Sequence, residues 1–194
     1  MLTYHSNHPG ELISTYWLDT AIHFARKAGA DRTRDAAPFT SRIGQIRKRL
    51  WWCCILRDSI MSLGLRRRLS ITPSEEVDYV QCALTEDDFN HEIWKSHVCK
   101  PDEKQVLVRL FVTLCKLGII LKDALELLYT PGDDSPLGKK PRTREDCEIA
   151  KSLMAELDLW CDATRAKVQV HASSYEDHQD SIKLLSNAIY IYYQ

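Results

Sequence analysis

Residues 41–68 read SRIGQIRKRLWWCCILRDSIMSLGLRRR, and this stretch decides the fold. Apolar side chains recur at Ile43, Ile46, Leu50, Trp51, Cys54, Ile55, Met61 and Leu65, steps of three and four that belong to a helix rather than a strand. The spacing predicts one long helix from about Ser41 to Leu63, with Gly64 as its stop. Adjacent Trp51 and Trp52 on such a helix read as core anchors. Cys53 and Cys54 cannot face one way, so at least one of them is only partly buried.

The same period extends in both directions. Upstream, Leu12/Ile13, Tyr16/Trp17, Ala21/Ile22, Ala25 and Ala28 outline a helix closed by Gly29. Downstream, Thr72-Pro73-Ser74-Glu75 and Thr85-Glu86-Asp87-Asp88 read as helix starts ahead of short helical turns. Residues 102–129 repeat apolar positions from Val106 to Leu128, and residues 130–142 form a Pro/Gly-rich loop. A fourth long helix follows a Thr143-x-x-Asp146 start, with Leu153/Met154 and Trp160/Cys161 on its apolar side. A fifth runs from near Glu176 to Gln194 through Ile182, Leu185, Ala188/Ile189 and Tyr192. Gly and Pro together make up 14 of 194 residues, about 7% against ~12% in average usage. The expected architecture is therefore all-α: an irregular bundle of about five main helices, with Trp17, Trp51 and Trp160 in one core. Residues 1–194 are expected to be a single domain, incomplete at one or both ends because the last helix has no stop signal.

Net charge is −1, which argues against a nucleic-acid binder, but the total hides a pattern. Residues 42–68 hold eight basic and one acidic side chain; residues 69–103 hold two basic and nine acidic. A +7 block thus precedes a −7 block. They are expected to lock against each other in the folded state. The rival reading is a phosphate-binding patch with interleaved tryptophan.

Catalytic and metal patterns are missing. His91-Glu92-Ile93-Trp94-Lys95 fails H-E-x-x-H at its last position, and no phosphate-binding glycine loop or nucleophile elbow occurs. The seven cysteines include no C-x-x-C pair and read as buried free thiols. The expectation is a non-enzyme with no cofactor and no metal. Neither a secretory signal nor an apolar run of ~18 residues is found, so a soluble, intracellular protein without membrane contact is expected.

The run from Arg47 to Arg67 resembles the signature of the fungal-specific transcription factor domain, also called the middle homology region or xylanolytic-activator regulatory domain of fungal zinc-cluster regulators. The residues that carry the likeness are Arg47, Arg49, Trp51, Trp52, Arg57, Asp58, Gly64, Arg66 and Arg67. Ile71, Asp78 and Leu84-Thr85-x-Asp87-Asp88-Phe89 are similar to the cutinase-transcription-factor branch. Tyr16-Trp17-Leu18-x-x-Ala21-Ile22 resembles the family's preceding helix. Arg68-Leu69 stands where the family usually has proline, and Ala30-Asp31 replaces its Leu-His. The six-cysteine zinc cluster and the dimerisation heptads that accompany this domain are missing from the sequence, so zinc is expected only in a separate DNA-binding module.

The resemblance implies a regulatory and interaction domain controlling RNA polymerase II transcription in the nucleus, with the cytoplasm as the alternative site. Its partners would be the transcription machinery, a co-regulator or a small-molecule effector that shifts the helix packing, with DNA met only indirectly. The alternatives are a stand-alone helical protein binding nucleic acid non-specifically through residues 42–68, or a truncated, non-functional paralogue. Lys139, Lys140, Arg142 and Arg144 read as a basic nuclear-import signal.

Overall fold

The computed structural model describes residues 11–31, 41–71, 83–95, 100–129 and 143–172, with side chains throughout except at 11–14 and 166–172. The elements in order are α1 (Glu11–Lys27), α2 (Arg42–Leu65), a 3-10 turn (Glu86–Phe89), α3 (Asn90–Ile93), α4 (Pro101–Leu128) and α5 (Arg144–Ala172). No strand occurs among the described residues, and the fold is all-α. The helix expected over 176–194 and the start expected at Thr72 lie outside the described residues. None of the described helices is long and apolar enough to cross a membrane.

Local chemistry sets most of the helix ends. Gly29 adopts φ 70°, and the Ala30 N–H returns to the Ala25 carbonyl at 3.0 Å, closing α1 with a left-handed cap. Ser41 opens α2 by accepting the Gly44 N–H at 3.1 Å. At α5 the Thr143 hydroxyl accepts the Asp146 N–H at 3.1 Å while the Asp146 carboxylate accepts the Thr143 N–H at 2.8 Å. Pro101 occupies the first position of α4, where its missing N–H costs nothing.

α4 lies between α2 and α5, and α1 packs on α2. The core joins Leu18, Ile22 and Ala25 of α1 to Trp51, Trp52, Ile55 and Met61 of α2, and these to Leu110, Leu114, Leu117 and Leu121 of α4. Trp160 of α5 closes the far side and donates its indole N–H to the Thr113 carbonyl at 3.1 Å. Gly118 permits the close approach of α2: a Cβ there would stand 3.3 Å from Leu56 Cδ1. The Ser59 hydroxyl donates to the Gly118 carbonyl at 3.2 Å.

Five expectations are corrected. Trp17 is 63% exposed and not part of the core. The stripe Leu18, Ile22 and Ala25 faces α2 instead, and Trp17, one residue earlier, is rotated about 100° away from it. Ile43, Ile46 and Leu50 are exposed, because α2 turns its Trp51, Trp52 and Ile55 side into the bundle. Met154 is likewise exposed. Among the described cysteines Cys54, Cys115 and Cys161 are buried and Cys147 is exposed against expectation, whereas Cys53 is exposed as its place beside Cys54 required. Gly64 is not the stop of α2. The helix runs to Leu65, and Arg66 takes the left-handed cap at φ 51°.

Candidate functional site

The second half of α2 and the chain just beyond it form a polar clamp. Asp58 has no solvent exposure. Its Oδ2 accepts the Ile71 N–H at 2.8 Å, and its Oδ1 accepts from Arg67 Nη2 at 3.1 Å. Arg67 Nη1 donates to the Arg68 carbonyl at 2.7 Å and to Ser70 Oγ at 3.0 Å, and the Ser62 hydroxyl donates to the same Arg68 carbonyl at 3.1 Å. The left-handed turn at Arg66 makes this possible, because it folds residues 67–71 back over the last turn of α2. A buried carboxylate is tolerable only with such partners. Asp58 has both a charge partner and a backbone donor.

The first half of α2 binds the acidic block. Lys48 Nζ lies 2.8 Å from Asp88 Oδ2, with both side chains buried. Asp88 also accepts the Thr85 N–H at 2.8 Å and the Thr85 hydroxyl at 3.1 Å, so one carboxylate both caps the 3-10 turn and pairs with Lys48. At the next residue, Arg49 Nη2 sits 2.7 Å from Glu92 Oε1, and its guanidinium lies 5.2 Å over the Phe89 ring. That hydrogen bond from Arg49 is the main cause holding the Glu92 carboxyl below its ordinary range. Phe89 in turn meets Phe111 of α4 edge-to-face at 6.0 Å. The +7 and −7 blocks therefore meet through specific pairs.

Trp51 and Trp52 are both buried, and Arg26 of α1 lies 6.0 Å over the Trp51 ring. Arg47 and Arg57 are half-buried on α2, whereas Gly64 and Arg66 are exposed at its end. Of the residues singled out in the sequence, Asp58 and Arg67 are brought together, and Arg49 joins Glu92. Lys48 and Ser62 carry as much of the polar structure and sequence reading did not single them out; Asp88 was read as part of the helix start at Thr85 but not as the partner of Lys48. The advance signal for the Lys48–Asp88 pairing was the opposite charge of their blocks. Lys139, Lys140 and Arg142 lie outside the described residues; Arg144 opens α5 and pairs with Glu148 at 3.3 Å on the surface.

Among the described residues no three His, Cys, Asp or Glu side chains converge as ligands, so they do not fit a zinc ion. Cys54 and Cys115 are instead buried thiols, desolvation pushing Cys54 up to about 11 and Cys115 higher still.

The sequence matches the family model described as the fungal specific transcription factor domain over residues 2–162. It is 31% identical over 166 residues to a protein named "Transcription factor" from Fusarium pseudograminearum, covering 75% of this chain and 18% of that protein. It is 30% identical over 94 residues to "Cutinase transcription factor 1 beta" of Fusarium vanettenii, covering 48% of this chain and 10% of that protein. Similarity to "Transcription factor cpaR" of Aspergillus oryzae is 24% over 132 residues, covering 63% of this chain and 22% of that protein. The chain thus matches less than a quarter of the length of each of these relatives. No solved structure matches. The chain belongs to the fungal specific transcription factor domain family.

Proposed function

We propose that this chain is a regulatory and protein-interaction domain of a fungal transcription regulator. It acts on RNA polymerase II transcription in the nucleus by binding a partner or effector rather than DNA. The reading needs no catalysis, cofactor or metal. The observation that carries it is the buried Lys48–Asp88 pair, with Arg49–Glu92 beside it. Cations engaged with carboxylates of the same chain are not available to phosphates. The relatives' names as transcription factors support the same reading.

Fluorescence anisotropy with a labelled DNA duplex at about 50 and 200 mM salt tests it. The expected result is no salt-dependent binding. Binding that falls steeply with salt, and is lost on Arg42→Glu with Arg47→Glu, would support non-specific nucleic-acid recognition instead. In parallel, charge reversal at Arg66, Arg67 and Arg68 in a fusion tethered to a reporter promoter should change output. Unchanged output and unchanged stability together would count against a regulatory role for this region. A fluorescent fusion should move out of the nucleus on Lys139→Ala with Lys140→Ala.

A further inference from the structure

We propose that Ser70 is a phosphorylation site for an arginine-directed protein kinase, and that its phosphate draws Arg67 off Asp58 and frees residues 67–71 from α2. Arg67 and Arg68 stand at the third and second positions before Ser70. No other serine or threonine of the chain has arginine at both positions. A kinase reads such a serine by charge: carboxylates of its groove take the two guanidiniums and bring the hydroxyl to the nucleotide. The chain here has the form such a groove needs. α2 stops at the left-handed Arg66, and residues 67–71 are neither helix nor strand. Arg66 is exposed, and Arg67, Arg68, Leu69 and Ser70 are half-buried, so the segment lies at the surface.

In the transfer, Ser70 Oγ attacks the γ-phosphorus of ATP. The Oγ–P bond forms as the bond from that phosphorus to its bridging oxygen breaks, ADP leaves with the electron pair, and the hydroxyl proton passes to a carboxylate of the kinase. The clamp gives the phosphate its effect. One guanidinium serves two acceptors, Arg67 Nη1 donating to Ser70 Oγ at 3.0 Å and Nη2 to Asp58 Oδ1 at 3.1 Å. Phosphorylation turns the first acceptor from a neutral hydroxyl into a group of about −1.5 to −2 charge with three strong acceptor oxygens. It then competes with Asp58 for Arg67. Asp58 has no solvent exposure, so it loses its cation and faces a like charge without water to compensate. The same carboxylate holds the Ile71 N–H at 2.8 Å, and Arg67 holds the Arg68 carbonyl at 2.7 Å. Withdrawing Arg67 removes one tie and destabilises the other. The kinase too needs Arg67 away from Asp58, so the closed clamp limits the rate of transfer and the modified clamp stays open.

The full chain is incubated with ATP and the cyclic-AMP-dependent protein kinase, an enzyme of this class, and the product is mapped by mass spectrometry. The expected product carries phosphate on Ser70. Arg68→Gln keeps the backbone carbonyl that Arg67 and Ser62 use, and should slow the transfer. The loss of one charge-assisted contact to the kinase makes that about ten-fold or more. Asp58→Asn loosens the clamp while leaving an acceptor for Ile71, and should speed the transfer several-fold. No phosphate on Ser70, or a rate indifferent to Arg68, overturns the site; a rate unmoved by Asp58→Asn overturns the clamp's control of it. Amide hydrogen exchange reads the release. Phosphorylation should speed exchange of the Ile71 N–H several-fold and leave the amides of Leu114 and Leu117 in α4 unchanged, showing that the bundle persists. In Asp58→Asn, where no like charge opposes the phosphate, the acceleration should be smaller. Slower exchange at Ile71 would mean that the phosphate ties the segment down, and it overturns the release, as does an unchanged rate. Neither measurement involves transcription or DNA, so failure here leaves the regulatory reading to its own tests.

Discussion

Arg67 reaches back past the end of α2 to place Nη2 3.1 Å from Oδ1 of Asp58, a carboxylate with no solvent exposure. The pair spans the turn at Arg66 and holds the following strand of chain through Ile71. Asp58→Ala would strand the Arg67 charge and leave a buried N–H unpaired, and should destabilise the fold by about 3–5 kcal/mol. Asp58→Asn should cost less, because an amide oxygen still accepts from Ile71. Urea unfolding of both variants checks the order; equal losses would mean that the charge contributes little.

Lys48–Asp88 ties α2 to the 3-10 turn and Arg109–Glu86 ties α4 to the same turn, but the two pairs differ in burial. Lys48 and Asp88 are nearly enclosed, while Arg109 and Glu86 are about half exposed at 3.1 Å. Lys48→Met should cost about 3–5 kcal/mol, since it leaves Asp88 buried without that cation. Arg109→Ala should cost no more than about 1 kcal/mol. In about 1 M salt the first deficit should persist and the second should vanish. Paired denaturation curves at low and high salt measure both.

The end of α2 can be improved. Arg66 pays for its left-handed backbone at φ 51°, so Arg66→Gly should stabilise by about 1 kcal/mol. Gly64 sits inside the last turn with nothing within 4 Å of a Cβ. Gly64→Ala should therefore add about 0.5–1 kcal/mol by restricting the unfolded chain and favouring the helix. Thermal melts should show both midpoints rising. A fall for Gly64→Ala would mean that the position is in use by a surface not yet occupied.

Lys122 gives the molecule an alkaline limit. Burial disfavours its ammonium, but the carboxylates of Glu126, 2.9 Å away, and Asp123, which accepts from it at 3.0 Å, outweigh burial and raise its pKa. A lysine whose folded pKa lies above the unfolded one contributes stability fully below the unfolded value of about 10.4. That contribution fades as pH rises through the folded value. The stability difference between the native chain and Lys122→Met should be flat from neutral pH and shrink above about pH 10.4. Denaturation across that range tests the sign.

Features written in adjacent residues were legible. Gly29 closing α1, the Thr85–Asp88 box and the Thr143–Asp146 box each need only three or four residues to act. The helical period likewise placed four long helices. Which face of a helix goes inward was less legible where apolar residues abut: Trp17 and Leu18 fit the period equally, and only α2 decides between them. Gly64 carried the usual stop signal, yet the chain turns at Arg66, because Asp58 and the Ser62 carbonyl capture Arg67 there. A left-handed arginine has no mark in sequence. The Lys48–Asp88 pairing was visible only as block charge, since a separation of forty positions along the chain hides its register.

Gly118 is held twice by α2. The Leu56 methyl fixes how near the two backbones stand, and the Ser59 hydroxyl on the Gly118 carbonyl fixes their axial and rotational register. Removing both sliding and spinning leaves α2 and α4 as one lever arm. Any signal passing through this domain must then travel as a tilt of that arm, or arise at its hinges with α1 and α5, and not as slippage of one central helix along the other.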